Sequence, residues 1–300
     1  MISPIHAATA TRGHALAALI AADDGDAARA AIRVASALAI AGRIVPQVIV
    51  VDPTSGAEST PTRIDSREVV QRRRVPEGSG EHPAEVRATL GAAGGDTWPL
   101  WLRAGDPVTQ IVHEAIHGQF QLVVMGLRHH DAVLRLAERE MTLRVTRLSA
   151  VPVFAVVYWL HHTPRRIVVG LDFSLSSQRS ADTACRILAD GGTLTLAYAE
   201  TPFDAEAGGV VRVPPHSAHA ELTSLIDHLP LPVGAHVETA PLSGSPAMEL
   251  LNMADRVSAD AIAVGRQHHS LAARVRFGSV SADLIRDARC SVLVTPAFNP

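Results

Sequence analysis

The sequence predicts an α/β protein made of two repeated, doubly wound, parallel five-stranded sheet domains. Three observations carry that expectation. Continuous apolar runs such as "QLVVMG" (121–126) and "RIVVGL" (166–171) alternate with stretches of helical periodicity. Strands without polar alternation are buried on both faces, which requires helices above and below a parallel sheet. Aromatic residues make up only 4% of the chain while Ala and Val abound, a composition suited to helices packed closely on strands. Finally, the chain repeats itself. A shift of 139 positions carries Gly105, Pro107, Ala115, Gly126, His129-His130, Arg135, Arg147 and Val153 onto Gly244, Pro246, Ala254, Gly265, His268-His269, Arg274, Arg286 and Val292 without a gap. A common shift at Gly-x-Pro and Gly-x-x-His-His reads as an internal duplication.

The first domain (1–160) is expected to place strands at "HALAALIAA" (14–22), "VPQVIVVD" (45–52), "TWPLWLR" (97–103), "QLVVMG" (121–126) and "VPVFAVV" (151–157). Between its second and third strands lies a Pro/Gly/Arg-rich insert (53–80), with Arg72, Arg73 and Arg74 in a row, which reads as a mobile, solvated surface loop. The boundary falls in "YWLHHTPRR", where Pro164 ends irregular chain. The second domain (161–300) opens with the strand "RRIVVGLD" (165–172), then a Ser-rich turn and a helical stretch at 177–190. Strands follow at "TLTLAYAE", "AHVETAP", "ADAIAVG" and "CSVLVTP", with helices between them at 217–229, 247–258 and before the last strand.

Composition excludes several functions. The formal charge is −3, so nothing draws the chain to nucleic acid or anionic membranes. There is no lysine, which removes both a phosphate-binding P-loop lysine and a Schiff-base mechanism. Cys185 and Cys290 are far apart and read as buried, reduced thiols of a cytoplasmic protein. The start of the chain lacks a signal-peptide core, and no apolar run is long enough to span a bilayer. The paired histidines 129-130 and 268-269 are neighbours on loops with no Cys/His/Asp set to complete a zinc site, and 161-162 is a linker pair, so no metal is expected.

The residues that suggest chemistry gather in the second half. Asp172 ends a strand, Gly265 ends another, and Gly278-Ser279-Val280 opens the last helix. In an open parallel sheet, ligands sit beyond the carboxyl ends of strands where strand order reverses. Asp172 there would accept hydrogen bonds from ribose hydroxyls or an adenine edge. Gly265 would let backbone amides approach a phosphate, and the helix N-terminus would receive the anion. Singly, Asp172 could be no more than a helix cap, and Gly278-Ser279 no more than a helix start.

Taken together, these residues resemble the universal stress protein family in tandem form, whose motif is an acidic residue after the first strand and Gly-x-x-Gly-x9-Gly-Ser/Thr after the fourth. Asp172, Gly265, Gly278 and Ser279, followed by Val280, stand at that spacing; the middle glycine is replaced by His268, as by His129 in the first copy. The resemblance covers both halves. It implies a Rossmann-like fold of the adenine-nucleotide alpha-hydrolase type and an adenine nucleotide, ATP or AMP, with or without Mg²⁺. Cofactor-binding residues would be Asp172, Gly265, His268, Gly278, Ser279 and Val280. In the first copy Asp23 or Asp24 would match the acidic residue, but Arg139-Glu140 replaces Gly-Ser, so its pocket is expected to be lost. The function implied is stress response through a regulatory nucleotide. The alternatives are a nucleotide-free scaffold and, more remotely, a slow ATP hydrolase, for which no catalytic base stands out. Family members pair through their final strands, so "VPVFAVV" and "CSVLVTP" are expected to meet inside one chain as a pseudo-dimer of domains. A homodimer of chains would then use other surfaces.

Overall fold

Each apolar run of the sequence becomes a strand of one continuous sheet. The computed structural model describes residues 3–5, 15–23, 25–52, 81–127, 134–199, 215–266 and 279–297. Its elements are β1 (Ser3–Ile5), β2 (Leu16–Ala21), α1 (Asp26–Ile40), β3 (Ile44–Asp52), α2 (Glu81–Ala92), β4 (Leu100–Ala104), α3 (Pro107–His117), β5 (Leu122–Leu127), α4 (Leu134–Leu148) and β6 (Val153–Val157). The second half continues with β7 (Arg166–Leu171), α5 (Leu175–Ile187), β8 (Thr193–Ala199), α6 (Pro215–His228), β9 (His236–Leu242), α7 (Pro246–Val257), β10 (Ala261–Gly265), α8 (Ser279–Asp287) and β11 (Ser291–Thr295). Every strand expected in either half is present. The insert 53–80, with its arginine run, lies outside the described residues, as do His129, His130, His268 and His269.

The strand order is β1-β9-β8-β7-β10-β11-β6-β5-β2-β3-β4. Within each half the first long strand is central, with the second and third on one side and the fourth and fifth on the other. All strand pairs inside each half are parallel; β1, from the first half, runs antiparallel to β9 of the second. The short strand at Ser3–Ile5 was not expected; three residues carry no periodicity to read. It covers the outer edge of β9, whose N–H and C=O groups would otherwise be open to another chain.

The halves join where β6 and β11 pair antiparallel, with Val292 opposite Ala155, Leu293 opposite Phe154 and Val294 opposite Val153. Every residue of both strands is buried. The expected meeting of the two final strands inside one chain is therefore present. Ser291 ties the seam further, its hydroxyl accepting the Val157 N–H at 3.3 Å. An ion pair, Arg43 to Asp190 at 2.5 Å, also links the halves. Within the second half, the Asp260 carboxylate accepts the N–H groups of Arg165 and Arg166 at 2.7 and 3.0 Å and fixes the start of β7.

Alanine lets the helices sit low on the sheet. On α1, Ala27, Ala28, Ala30, Ala31 and Ala35 are buried, so the helix presents methyl groups where larger side chains would hold it away. Both cysteines are buried; desolvation pushes the Cys290 thiol up to about 12 and the Cys185 thiol higher still, which leaves them inert. Among the described residues no helix is long and apolar enough to cross a membrane.

Because the seam is buried and shared, Val292→Asp should destabilise the whole chain by on the order of 3–5 kcal/mol, the cost of an unpaired buried carboxylate. Guanidinium unfolding followed by circular dichroism tests this. An unchanged midpoint would mean that the seam contributes little to folding.

Candidate functional site

In the second half, β7 has β8 on one side and β10 on the other. The chain leaves the carboxyl end of β7 toward one flank of the sheet and that of β10 toward the other, the arrangement that in open parallel sheets marks the place of a ligand crevice. Val264 stands opposite Gly170 in the parallel register. The residues that follow these two strand ends are Asp172 on one side and Gly265-Arg266 on the other.

Asp172 is held by its own turn. Its Oδ1 accepts the Ser174 N–H at 3.0 Å and the Ser174 hydroxyl at 2.6 Å. Phe173 between them takes a left-handed conformation, φ 60°, and its carbonyl accepts the Gln178 side-chain amide at 3.0 Å. The helix cap itself is Ser174, whose Oγ accepts the Ser177 N–H at 3.3 Å. Asp172 thus braces the cap without being the cap, and its exposed carboxylate is fixed just beyond the carboxyl end of β7.

Gly265 has a packing reason. A β-carbon built there would lie 2.5 Å from the Ser177 nitrogen and 2.6 Å from the Ser176 carbonyl carbon. The first turn of α5 therefore rests directly on the end of β10, which no residue with a side chain allows. Close helix-to-strand packing is one of the roles glycine plays in dinucleotide-binding turns. Val280 is half-buried and packs on the main core, and Ser279 is the first residue of α8. His268 and Gly278 lie outside the described residues, as does the Ser279 side chain.

The first half repeats part of this arrangement. Asp23 Oδ1 accepts the N–H of Gly25, the N-cap of α1, at 2.8 Å, so Asp23 is the counterpart of Asp172. Asp24 lies outside the described residues. Gly126 matches Gly265: its β-carbon would come within 2.3 Å of the Ala27 carbonyl carbon. The last helices differ. At the position where α8 has Ser279, α4 has Glu140, which is exposed.

Two further groups stand out that the sequence reading passed over. Arg266, next to Gly265, is 5% exposed and donates to the carbonyls of Thr146 and, at 3.1 Å, Ser149, at the C-terminal end of α4 in the other half. Burial lowers its pKa, and the negative end of the α4 dipole helps to offset its charge. Its counterpart at the 139-residue shift is Leu127, so only the difference between the two halves hinted at a role. The second group is on α3, where His113-Glu114-Ala115-Ile116-His117 forms a His-Glu-x-x-His pattern. Glu114 is buried and pairs with Arg103 of β4 at 2.8 Å. Desolvation, followed by the charge of His117, lowers the His113 pKa.

Comparison with known proteins fits this geometry. The sequence model of the universal stress protein family matches residues 163–296. A universal stress protein of Mycobacterium tuberculosis (strain H37Rv) is 32% identical over 138 residues, which is 43% of this chain and 94% of that relative. The chain belongs to the universal stress protein family. Solved structures extend the shared fold over both halves. A universal stress protein from Archaeoglobus fulgidus superposes with a TM-score of 0.60 at 20% identity, covering 93% of this chain and 98% of its own. A putative universal stress protein from Pseudomonas aeruginosa gives 0.56 at 13% identity, covering 94% and 93%. At those identities the likeness concerns the fold alone.

Gly265→Ala is expected to cost about 1–3 kcal/mol, since the new methyl forces the first turn of α5 off the sheet. Thermal unfolding of the variant measures this, and a gain in stability would show that the turn yields freely.

Proposed function

We propose that this universal stress protein binds an adenine nucleotide, ATP or AMP, in the crevice between β7 and β10, and that its first half does not. In this reading the two halves, 1–160 and 161–300, descend from one duplicated domain, and only the second keeps the pocket. The observation that carries the proposal is the contrast between the last helices. Gly278-Ser279 stands at one where the other has Arg139-Glu140 at the matching positions. A helix N-terminus offers unpaired N–H groups and a positive dipole end to an anion. A carboxylate at the matching position repels one.

The roles follow from position. Asp172, braced by Ser174, accepts hydrogen bonds from the ribose or the adenine edge. Gly265 brings α5 and β10 close enough to shape the floor. Gly278, Ser279 and Val280 receive the phosphates with backbone N–H groups, and His268, between Gly265 and Gly278 in the sequence, would add a donor as a protonated imidazole. The ligand acts as a signal, biasing conformation or partner choice, and no residue is assigned to chemistry on it. Arg266 joins the end of β10 to α4, so occupancy of the crevice would be felt in the first half.

Calorimetric titration with ATP, ADP and AMP, with and without Mg²⁺, tests the reading. Binding should be abolished by Gly278→Glu, which sets a carboxylate at the phosphate seat, in a chain that still folds. Asp172→Asn should keep the turn, because an amide oxygen also accepts the Ser174 N–H. It should weaken binding by about 1–3 kcal/mol through loss of a charged acceptor. Equal affinity in Gly278→Glu and the parent would overturn the site, and no binding in the parent would favour the scaffold reading.

A further inference from the structure

We propose that His113 and His117 form a two-imidazole site for a divalent transition-metal ion of the zinc or copper class, on the outer face of α3. This is independent of the nucleotide reading, since it lies in the first half on a helix that contributes nothing to the crevice.

The pattern His-Glu-x-x-His on a helix sets two imidazoles one turn apart on the same face, a spacing used to hold zinc. Here the helix is present: α3 runs Pro107–His117 with Asp106 as its N-cap, the carboxylate accepting the Thr109 N–H at 2.9 Å and its hydroxyl at 2.8 Å. The opposite face is anchored in the core through Val108, Ile111 and Ala115. That anchoring fixes the rotation of the helix, and with it the direction of the histidines. His113 is half-buried and His117 exposed, so an ion can enter from solvent.

The two rings are already gathered. Their centroids are 4.2 Å apart with planes inclined at 35°. Tetrahedral coordination at the usual zinc–nitrogen length places two ligand nitrogens about 3.3 Å apart, within reach of rings so close. Neutral imidazole is the ligating form, and nitrogen donors suit zinc and copper over magnesium or calcium.

The arrangement also says what the site does not do. In metallopeptidases the glutamate of this pattern acts as general base on a metal-bound water. Glu114 is 4% exposed, and its Oε2 accepts a hydrogen bond from the Arg103 guanidinium at 2.8 Å. It is turned inward to the sheet and committed to a buried cation. Among the described residues no group of three or more His, Cys, Asp or Glu is gathered. The ion would therefore complete its coordination with water, and the site is one for binding.

The experiment uses the full chain and the metal alone. Zn²⁺ is titrated calorimetrically at neutral pH, and Cu²⁺ is followed by electron paramagnetic resonance for coupling to two imidazole nitrogens. His117→Ala alters an exposed residue at the end of α3, so it should fold normally. Losing one of the two ligands should weaken the site by at least about tenfold, the scale seen when even supporting residues of metal sites are removed. His113→Ala should do the same, and either variant should lose the two-nitrogen signature. A chain with His129, His130, His268 and His269 all replaced should retain both. Wild-type affinity and signature in His113→Ala and His117→Ala would overturn the assignment, as would their loss on replacing only the four loop histidines.

Discussion

The antiparallel seam between β6 and β11 is the constraint on which the rest of this molecule depends. Each half alone would end in a fully apolar edge strand with a row of unsatisfied backbone groups, an invitation to uncontrolled pairing. Having both halves on one chain makes the partner always available, at an effective concentration set only by the short connection through Leu160 and Pro164. The two sheets become one, and every residue of both strands is buried. The seam also fixes what can stand near the crevice. Because the pairing is antiparallel, the carboxyl end of β10 lies beside the C-terminal end of α4, which is where Arg266 crosses from one half to the other.

That crossing is chemically unusual. A guanidinium with 5% exposure faces carbonyl oxygens and a helix dipole, and among the described residues its Nε has no hydrogen-bond partner. Burial of a charge is costly unless its donors are used. Two carbonyls at a helix C-terminus, which have no intrahelical partner, supply acceptors that would themselves need satisfying. The arrangement satisfies those carbonyls and the two terminal guanidinium nitrogens together, but leaves Nε unpaired among the described residues. It also makes the seam asymmetric, because Leu127 occupies the matching position.

Glycine plays the same part in both halves, and it is a packing part. At Gly126 and Gly265 the first helix of the half lies against the end of the fourth strand so closely that its backbone would meet a β-carbon below 3 Å. The carboxylates Asp23 and Asp172 brace that same first turn by accepting the N–H of the N-cap residue. Both halves thus keep the geometry of a crevice. They part at the last helix, where one half has Ser279 and the other Glu140.

What the sequence by itself determined was everything that local pattern encodes. Ten of the strands were legible because continuous apolar runs have few other uses, and the two glycines because their spacing repeats at a common shift. Asp172 was legible as the residue after a strand, and the pairing of the final strands followed from their shared apolar character. Tertiary structure decided the rest. That Asp172 braces Ser174, that Gly265 touches Ser176 and Ser177, and that Arg266 reaches Thr146 and Ser149 are facts about positions brought together by the sheet. Glu114 shows the difference most plainly. In sequence it sits between two histidines like a catalytic base, yet β4 presents Arg103 to it and turns it inward. Periodicity reports which face of an element is apolar, but the partner of a buried charge is chosen by how strands and helices stack, and no local stretch of residues contains that choice.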